Sequence, residues 1–243
     1  MISLSNFSLS VSWKEIIHSI DYSFEATKIT AILGHNGSGK SSLALALMGH
    51  PRYEPMWGYT YKWISLHEVS PVDRKKMGIF LSLQSIPEIP GIKLLEYLRT
   101  IYNEHFSATH PGEKLPTPFV FRRMIEKMMP EIGLDVSFLE RDLFVGFSGG
   151  EKRRIEMLQV ALLDPECIIL DEIDSGLDID AISFLWQRIA EWKEKNKTII
   201  IITHNFHLLD TIAIDNVMVM QSGKIAMSGS HALVEQIRKN GFR

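Results

Sequence analysis

The stretch Ile29–His50 reads ITAILGHNGSGKSSLALALMGH. Within it, Thr30-Ala31-Ile32-Leu33 is a short apolar run that predicts a buried strand. The Ala/Leu-rich segment from Ser41 to Met48 predicts a helix. Between them Gly34, Gly39, Lys40 and Ser41 stand at the spacing G-x-x-x-x-G-K-[ST]. That spacing turns successive backbone N–H groups inward round a polyphosphate, beside the positive end of the following helix. Lys40 is placed to reach the β- and γ-phosphates, and the Ser41 hydroxyl to ligate Mg²⁺. A strand before and a helix after leave a coincidental glycine turn as a poor account. The pattern predicts a nucleotide site.

Composition bounds the rest. With 243 residues, 45% hydrophobic and 23% charged, the chain can bury one large core, or a core with a smaller lobe. A net charge of −3 excludes a generally basic nucleic-acid footprint. The single cysteine, Cys167, excludes an intrachain disulfide framework and suits a reducing compartment. It lies in the apolar run Cys167-Ile168-Ile169-Leu170 and reads as a buried small hydrophobe. The start, MISLSNFSLS, has neither the basic beginning nor the apolar region of a signal peptide. No uncharged run approaches the ~18–20 residues needed to span a bilayer. A cytoplasmic protein is expected, with any membrane role exerted through a partner.

In chain order, Ile2 to Val11 alternates apolar and small polar residues and predicts one or two half-exposed strands, and Ile20 to Phe24 alternates again. Trp13, upstream of the phosphate loop, is placed either to stack on adenine or to stand as a surface aromatic on a hairpin. Gly58 to Leu66 predicts an antiparallel hairpin, and Ser70-Pro71-Val72-Asp73 starts a helix leading to Lys76. Gly78 to Gln84 reads as a buried strand ending in a polar residue. Ser85 to Gly91 reads as a stiff linker whose two prolines resist helix. Helical spacing follows from Lys93 to His105, around Phe119 to Met129, and briefly over Val136 to Arg141. About residues 92–146 therefore form a mostly helical insertion in an α/β frame, with Met124, Met128 and Met129 as core filler.

Phe147-Ser148-Gly149-Gly150-Glu151 opens another helix, running to Leu163. Ser148 is a good N-cap, and the two glycines leave amides at the helix start open to an anion. The patch Lys152-Arg153-Arg154 is expected to support phosphate binding or subunit contacts. The next strand ends in Asp171-Glu172. Two adjacent carboxylates at the carboxyl end of a buried strand are expensive unless cations or phosphates occupy the crevice there. Asp171 suits support of Mg²⁺, and Glu172 suits polarising a water for attack on the γ-phosphate. After Ser175-Gly176-Leu177-Asp178 and an amphipathic helix, the buried strand Thr198–Thr203 ends at His204, a position from which a histidine can hold the attacking water.

This order of motifs resembles the ABC-type ATPases over essentially the whole chain. The resemblance implies an α/β fold with a P-loop (RecA-like) core, an antiparallel β-subdomain and an inserted helical subdomain, in one ABC ATPase domain spanning 1–243. It implies ATP hydrolysis with Mg²⁺, in which the phosphate loop of one subunit and the Ser-Gly-Gly segment of another enclose the same ATP. Carried over by position, Gly34, His35, Asn36, Gly37, Ser38, Gly39, Lys40, Ser41 and Ser42 bind phosphate, and Ser41 and Gln84 touch Mg²⁺. Ser148, Gly149 and Gly150 bind the γ-phosphate in trans. Asp171 supports the metal, Glu172 is the catalytic carboxylate, Asp178 lies at the subunit junction and His204 is the switch histidine.

Within that family the chain is similar to the SufC-type ATPases of SUF iron–sulfur cluster assembly. The similarity rests on GIFLSLQSIPEIPG (Gly78–Gly91), VGFSGGEKRRIEMLQ (Val145–Gln159) and the segment Leu170–Ala181. Transporter ATPases usually carry I-A-R-A-L where Ile155-Glu156-Met157-Leu158-Gln159 stands here. Leu83, His35 and Ile155 depart from residues frequent in SufC proteins, and none removes a group the ATPase needs. The implied partners are soluble SufB-like and SufD-like scaffolds, with ATP-dependent association of two copies, no direct membrane insertion and no nucleic acid. The surface expected to dock them is the Gln84–Pro90 loop and the helical insertion. The alternative is the nucleotide-binding subunit of a membrane ABC transporter.

Overall fold

The structure is a computed structural model and describes residues 1–173, 177, 179–203 and 206–241. In chain order the first strands are β1 (Ile2–Val11), β2 (Lys14–Phe24), β3 (Ile29–Leu33), β4 (Glu54–Met56), β5 (Tyr59–Tyr61), β6 (Ile64–Ser65) and β7 (Ile79–Ser82). Then come β8 (Ile89–Lys93), β9 (Asp142–Leu143), β10 (Cys167–Asp171), β11 (Thr198–Ile202), β12 (Asn216–Gln221) and β13 (Lys224–Ser230). The helices are α1 (Lys40–Leu47), α2 (Pro71–Lys76), α3 (Leu94–Thr109), α4 (Pro118–Glu131), α5 (Gly149–Leu163), α6 (Ile179–Glu194), α7 (Phe206–Thr211) and α8 (Ala232–Asn240). The chain forms two compact units, one of residues 1–83, 165–174 and 186–243, the other of residues 84–164 and 175–185.

The first unit holds two sheets. Six strands run in the order β13-β12-β3-β11-β10-β7, parallel except for β13. β3, β10 and β11 are buried along their whole length, which is why they read as unbroken apolar runs rather than alternating ones. The second sheet is antiparallel, β2-β1-β5-β6 with β4 also on β1, and it alternates in burial as its sequence alternates. Phe7, Ile17, Phe24, Tyr59 and Tyr61 from the second sheet share one core with Leu43 and Leu47 of α1 and with Ile200, Ile202 and Met218 of the first. Helix α1 has no basic residue in its last turn. Its terminal carbonyls are met instead by Arg74 of α2, which donates to Ala46 O at 2.8 Å and Leu47 O at 2.9 Å.

The second unit packs α3, α4 and α5 about Leu94, Leu98, Phe121, Ile125, Met129, Leu139, Phe147, Ile155 and Leu158. Met129 is fully buried, and Met124 and Met128 pack against the same cluster. The expected linker over 85–91 is partly a strand: β8 pairs antiparallel with β9, Ile89 opposite Leu143 and Lys93 opposite Asp142. The Asp142 carboxylate accepts from the Gly91 amide at 3.0 Å and from Lys93 Nζ at 2.7 Å, so the two-stranded ribbon tolerates Pro90. Its partner lies some fifty residues downstream, beyond the reach of local sequence pattern.

Candidate nucleotide site

The phosphate loop leaves β3 at Gly34, where a Cβ would run into the Met220 carbonyl. At Gly39 the backbone takes φ 105° to enter α1, and Ile17 Cγ1 stands 3.3 Å from where a Cβ would project. The loop is strapped from behind by the β12–β13 turn, whose Gly223 amide donates to Ser38 O at 3.0 Å. Lys40 is buried and folds back over the loop, donating to Gly34 O and His35 O, both at 2.9 Å. An ammonium carries three protons, so one remains. Ser38 is also buried, and among the described residues its hydroxyl has no partner. Two donors are therefore uncommitted inside the loop, which fits an anion. Burial lowers the Lys40 pKa, and the charges of Glu172 and Asp171 oppose that shift.

Those two carboxylates reach the loop because β10 lies two strands from β3 with β11 between, all three ending on the same side. Asp171, buried at the end of β10, accepts from the Ser41 hydroxyl at 3.0 Å. Glu172 follows in the left-handed region, φ 47°, with its amide donating to Ile202 O at 2.9 Å. A non-glycine residue in that conformation is held there by its surroundings, a feature common at functional sites.

The model of the ABC transporter family matches residues 17–175, and this span carries both the loop and the paired carboxylates. The chain belongs to that family and is an ABC-type ATPase. A probable ATP-dependent transporter of Synechocystis sp. is 40% identical over 244 residues, covering 100% of this chain and 94% of that protein. The probable ATP-dependent transporter ycf16 of Guillardia theta is 41% identical over 243 residues, with 100% and 95% covered. Among solved structures, an ATP-binding subunit of an ABC transporter superposes with TM-score 0.77 at 21% identity, covering 100% of this chain and 94% of that one. A dimeric post-hydrolysis ATP-binding cassette with ADP and Pi superposes with TM-score 0.78 at 16% identity, covering 95% and 99%. The structural likenesses establish the fold, and the ABC ATPase family establishes ATP binding and hydrolysis.

Of the residues expected at this ATPase's site, the first unit brings together the loop Gly34–Ser42, Asp171 and Glu172. Gln84, Ser148, Gly149 and Gly150 belong to the second unit. Asp178 and His204 lie outside the described residues. Ser148 caps α5 in a complete capping box: its hydroxyl accepts from the Glu151 amide, and the Glu151 carboxylate accepts from the Ser148 amide at 2.7 Å. Trp13 stands in the β1–β2 turn, 94% exposed.

The patch Lys152-Arg153-Arg154 is engaged inside its own unit. Lys152 pairs with Glu88 at 3.1 Å, and Arg154 donates to Ile132 O at 2.8 Å while stacking over Phe184. Arg153 is buried, with one arm on Glu156 at 2.6 Å and the other on Gln84 O at 3.1 Å. Gln159, one turn further along α5, accepts from Tyr97 OH at 3.1 Å. Burial, with the Glu156 charge adding to it, pushes the Tyr97 phenol up to about 12. The sequence carried a signal for this network in the i, i+3 spacing of Arg153 and Glu156 on α5. Among the described residues, no helix is long and apolar enough to cross a membrane.

Proposed function

We propose that this ABC ATPase is the SufC-like motor of a SUF-type iron–sulfur assembly machine, using ATP to reshape a soluble scaffold of SufB-like and SufD-like proteins. The observation that supports this reading most is the use made of Glu156 and Gln159. These residues set α5 apart from the I-A-R-A-L segment usual in transporters. Both are buried and bonded, Glu156 to Arg153 and Gln159 to Tyr97, so the departure from the transporter pattern is part of how the helix packs.

In the proposed cycle Lys40 and the amides of Gly34–Ser42 hold the β- and γ-phosphates. Ser41, oriented by Asp171, and Gln84 are the residues that would hold Mg²⁺, which would neutralise charge on the phosphates. Ser148, Gly149 and Gly150 of a second copy meet the γ-phosphate, so ATP favours the associated pair. Glu172 takes a proton from the attacking water, His204 holds that water, and Asp178 lies at the junction of the copies. Cleavage removes the bridging phosphate and lets the pair part.

The names of the relatives favour a second reading, a transporter motor. The membrane-spanning part would then lie outside the described residues. Affinity purification of the tagged chain from its own host separates the two. Soluble, cysteine-bearing partners support the scaffold reading, and an integral membrane partner overturns it.

A further inference from the structure

The β12–β13 hairpin turns on Ser222 and Gly223, which take φ 47° and 75°, the left-handed pair that a two-residue connection needs. The tip of such a hairpin usually stands in water, and Ser222 and Lys224 do. Gly223 between them is buried. It is wedged between β2 and the phosphate loop, all within the first unit. Its N–H donates to Ser38 O at 3.0 Å, and its carbonyl accepts from the His18 N–H of β2 at 2.9 Å. Because β2 is the edge of the antiparallel sheet, that N–H is free to hold the turn. A Cβ on Gly223 would run into Ile16 O and stand 2.8 Å from His18 Cδ2. The loop's own glycines meet the same neighbours: Gly34 lies against Met220 O of β12, and a Cβ on Gly39 would stand 3.5 Å from Ile16 O.

We infer that Gly223 is a positioning residue for the triphosphate, acting through the Ser38–Gly39 peptide. The Ser38 carbonyl and the Gly39 N–H belong to one planar trans unit, so they point in opposite directions. A hydrogen bond that holds the carbonyl from behind therefore aims the Gly39 N–H into the loop, towards the phosphates. The His18 N–H fixes Gly223 in turn, which puts the edge of β2 in line with the phosphate cradle through two main-chain bonds. Only glycine fits this wedge, since any side chain would lift the turn off β2 and carry the Ser38 carbonyl with it. The inference rests on the phosphate-binding role proposed above for Gly34–Ser42, and not on which partner the ATPase drives.

Linkage supplies the test: if the Gly223–Ser38 bond favours phosphate, bound phosphate must protect that bond by the same factor. Amide hydrogen exchange of the full chain, resolved by residue, is measured with and without ADP and Mg²⁺. Exchange at the Gly223 and His18 N–H groups is expected to slow about tenfold on binding. The Ser5 N–H, bonded to Gly58 O in another turn of the same unit, is expected to keep its rate. Gly223→Ala is expected to raise KM for ATP and Kd for ADP together by about tenfold with kcat nearly kept, the mark of lost uniform binding. Gly112→Ala places a Cβ at φ 89° in open space, and should lower the melting temperature without moving KM. Loop amides protected without Gly223, or a KM indifferent to Gly223→Ala, overturns the proposal. Should that variant not fold, exchange in the parent chain decides alone. No protection anywhere in Gly34–Ser42 overturns the phosphate-binding reading, and the proposal with it.

Discussion

The Ser41 hydroxyl donates to the Asp171 carboxylate across 3.0 Å, joining residues 130 positions apart in the chain. A strand-end carboxylate so placed fixes the rotamer of the hydroxyl at the mouth of the phosphate loop. An oxygen held this way has a lone pair free for a divalent cation, while Asp171 remains behind it as support. Ser41→Ala should therefore raise the Mg²⁺ concentration needed for half-maximal hydrolysis by about tenfold or more, with nucleotide affinity in EDTA nearly unchanged. Equal losses with and without Mg²⁺ would show that the hydroxyl serves the loop and not the metal.

Lys40 is tied to two loop carbonyls, Gly34 and His35. Its removal should loosen the loop as well as delete a charge from the nucleotide. Lys40→Met is expected to weaken ATP binding by about a hundredfold, in line with the loss of a charge-assisted hydrogen bond of about 2–3 kcal/mol. Titration with a fluorescent ATP analogue measures this directly. A variant that binds as tightly as the parent removes Lys40 from the site.

The chemistry of the first unit was legible in sequence because its parts are local. A glycine spacing defines the loop, an apolar run defines each buried strand, and a polar residue at the end of that run marks the crevice. What was not legible depends on partners distant in the chain. Arg74 sits among ordinary charged residues of a short helix, yet it is buried and saturated by carbonyls from α1 and the Val69–Leu66 loop and by Tyr59 OH. Likewise the cationic patch at 152–154 looked like a ligand surface, and only the fold puts Glu88, Glu156 and Ile132 O within its reach. Pro87 and Pro90 suggested an unpaired linker, because the Asp142 that completes the ribbon lies far downstream.

Lys75, beside Arg74 on α2, has no ion pair among the described residues, and burial pulls its ammonium from 10.5 down to about 8. Its pKa is depressed in the folded state, so at pH 7 folding keeps a charge poorly solvated. That penalty fades as pH rises through 8 and is gone above 10.5, where both states are neutral. Lys75→Met should stabilise the protein at pH 7 by about 2 kcal/mol, after discounting for the partial exposure of the side chain. Near pH 10.5 the gain should be close to nothing. Urea midpoints at the two pH values decide it, and an equal gain at both would assign the effect to packing.

Glu172 sits at the turn leaving β10, in a left-handed conformation pinned by the hydrogen bond its backbone N–H donates to Ile202 O. That bond is made by the main chain, so Glu172→Gln should leave the turn, the Ser41–Asp171 contact and the loop intact. The change removes the capacity to take a proton, together with a negative charge felt by Lys40. Turnover is expected to fall by about a hundred- to ten-thousandfold with ATP affinity retained. If ATP bridges two copies, the variant should also accumulate as a dimer in ATP and Mg²⁺, visible by light scattering, and revert to monomer when ATP is removed. Turnover like the parent's would place the base elsewhere. Slow turnover without any ATP-dependent dimer would keep Glu172 as the base and remove the second copy from the cycle.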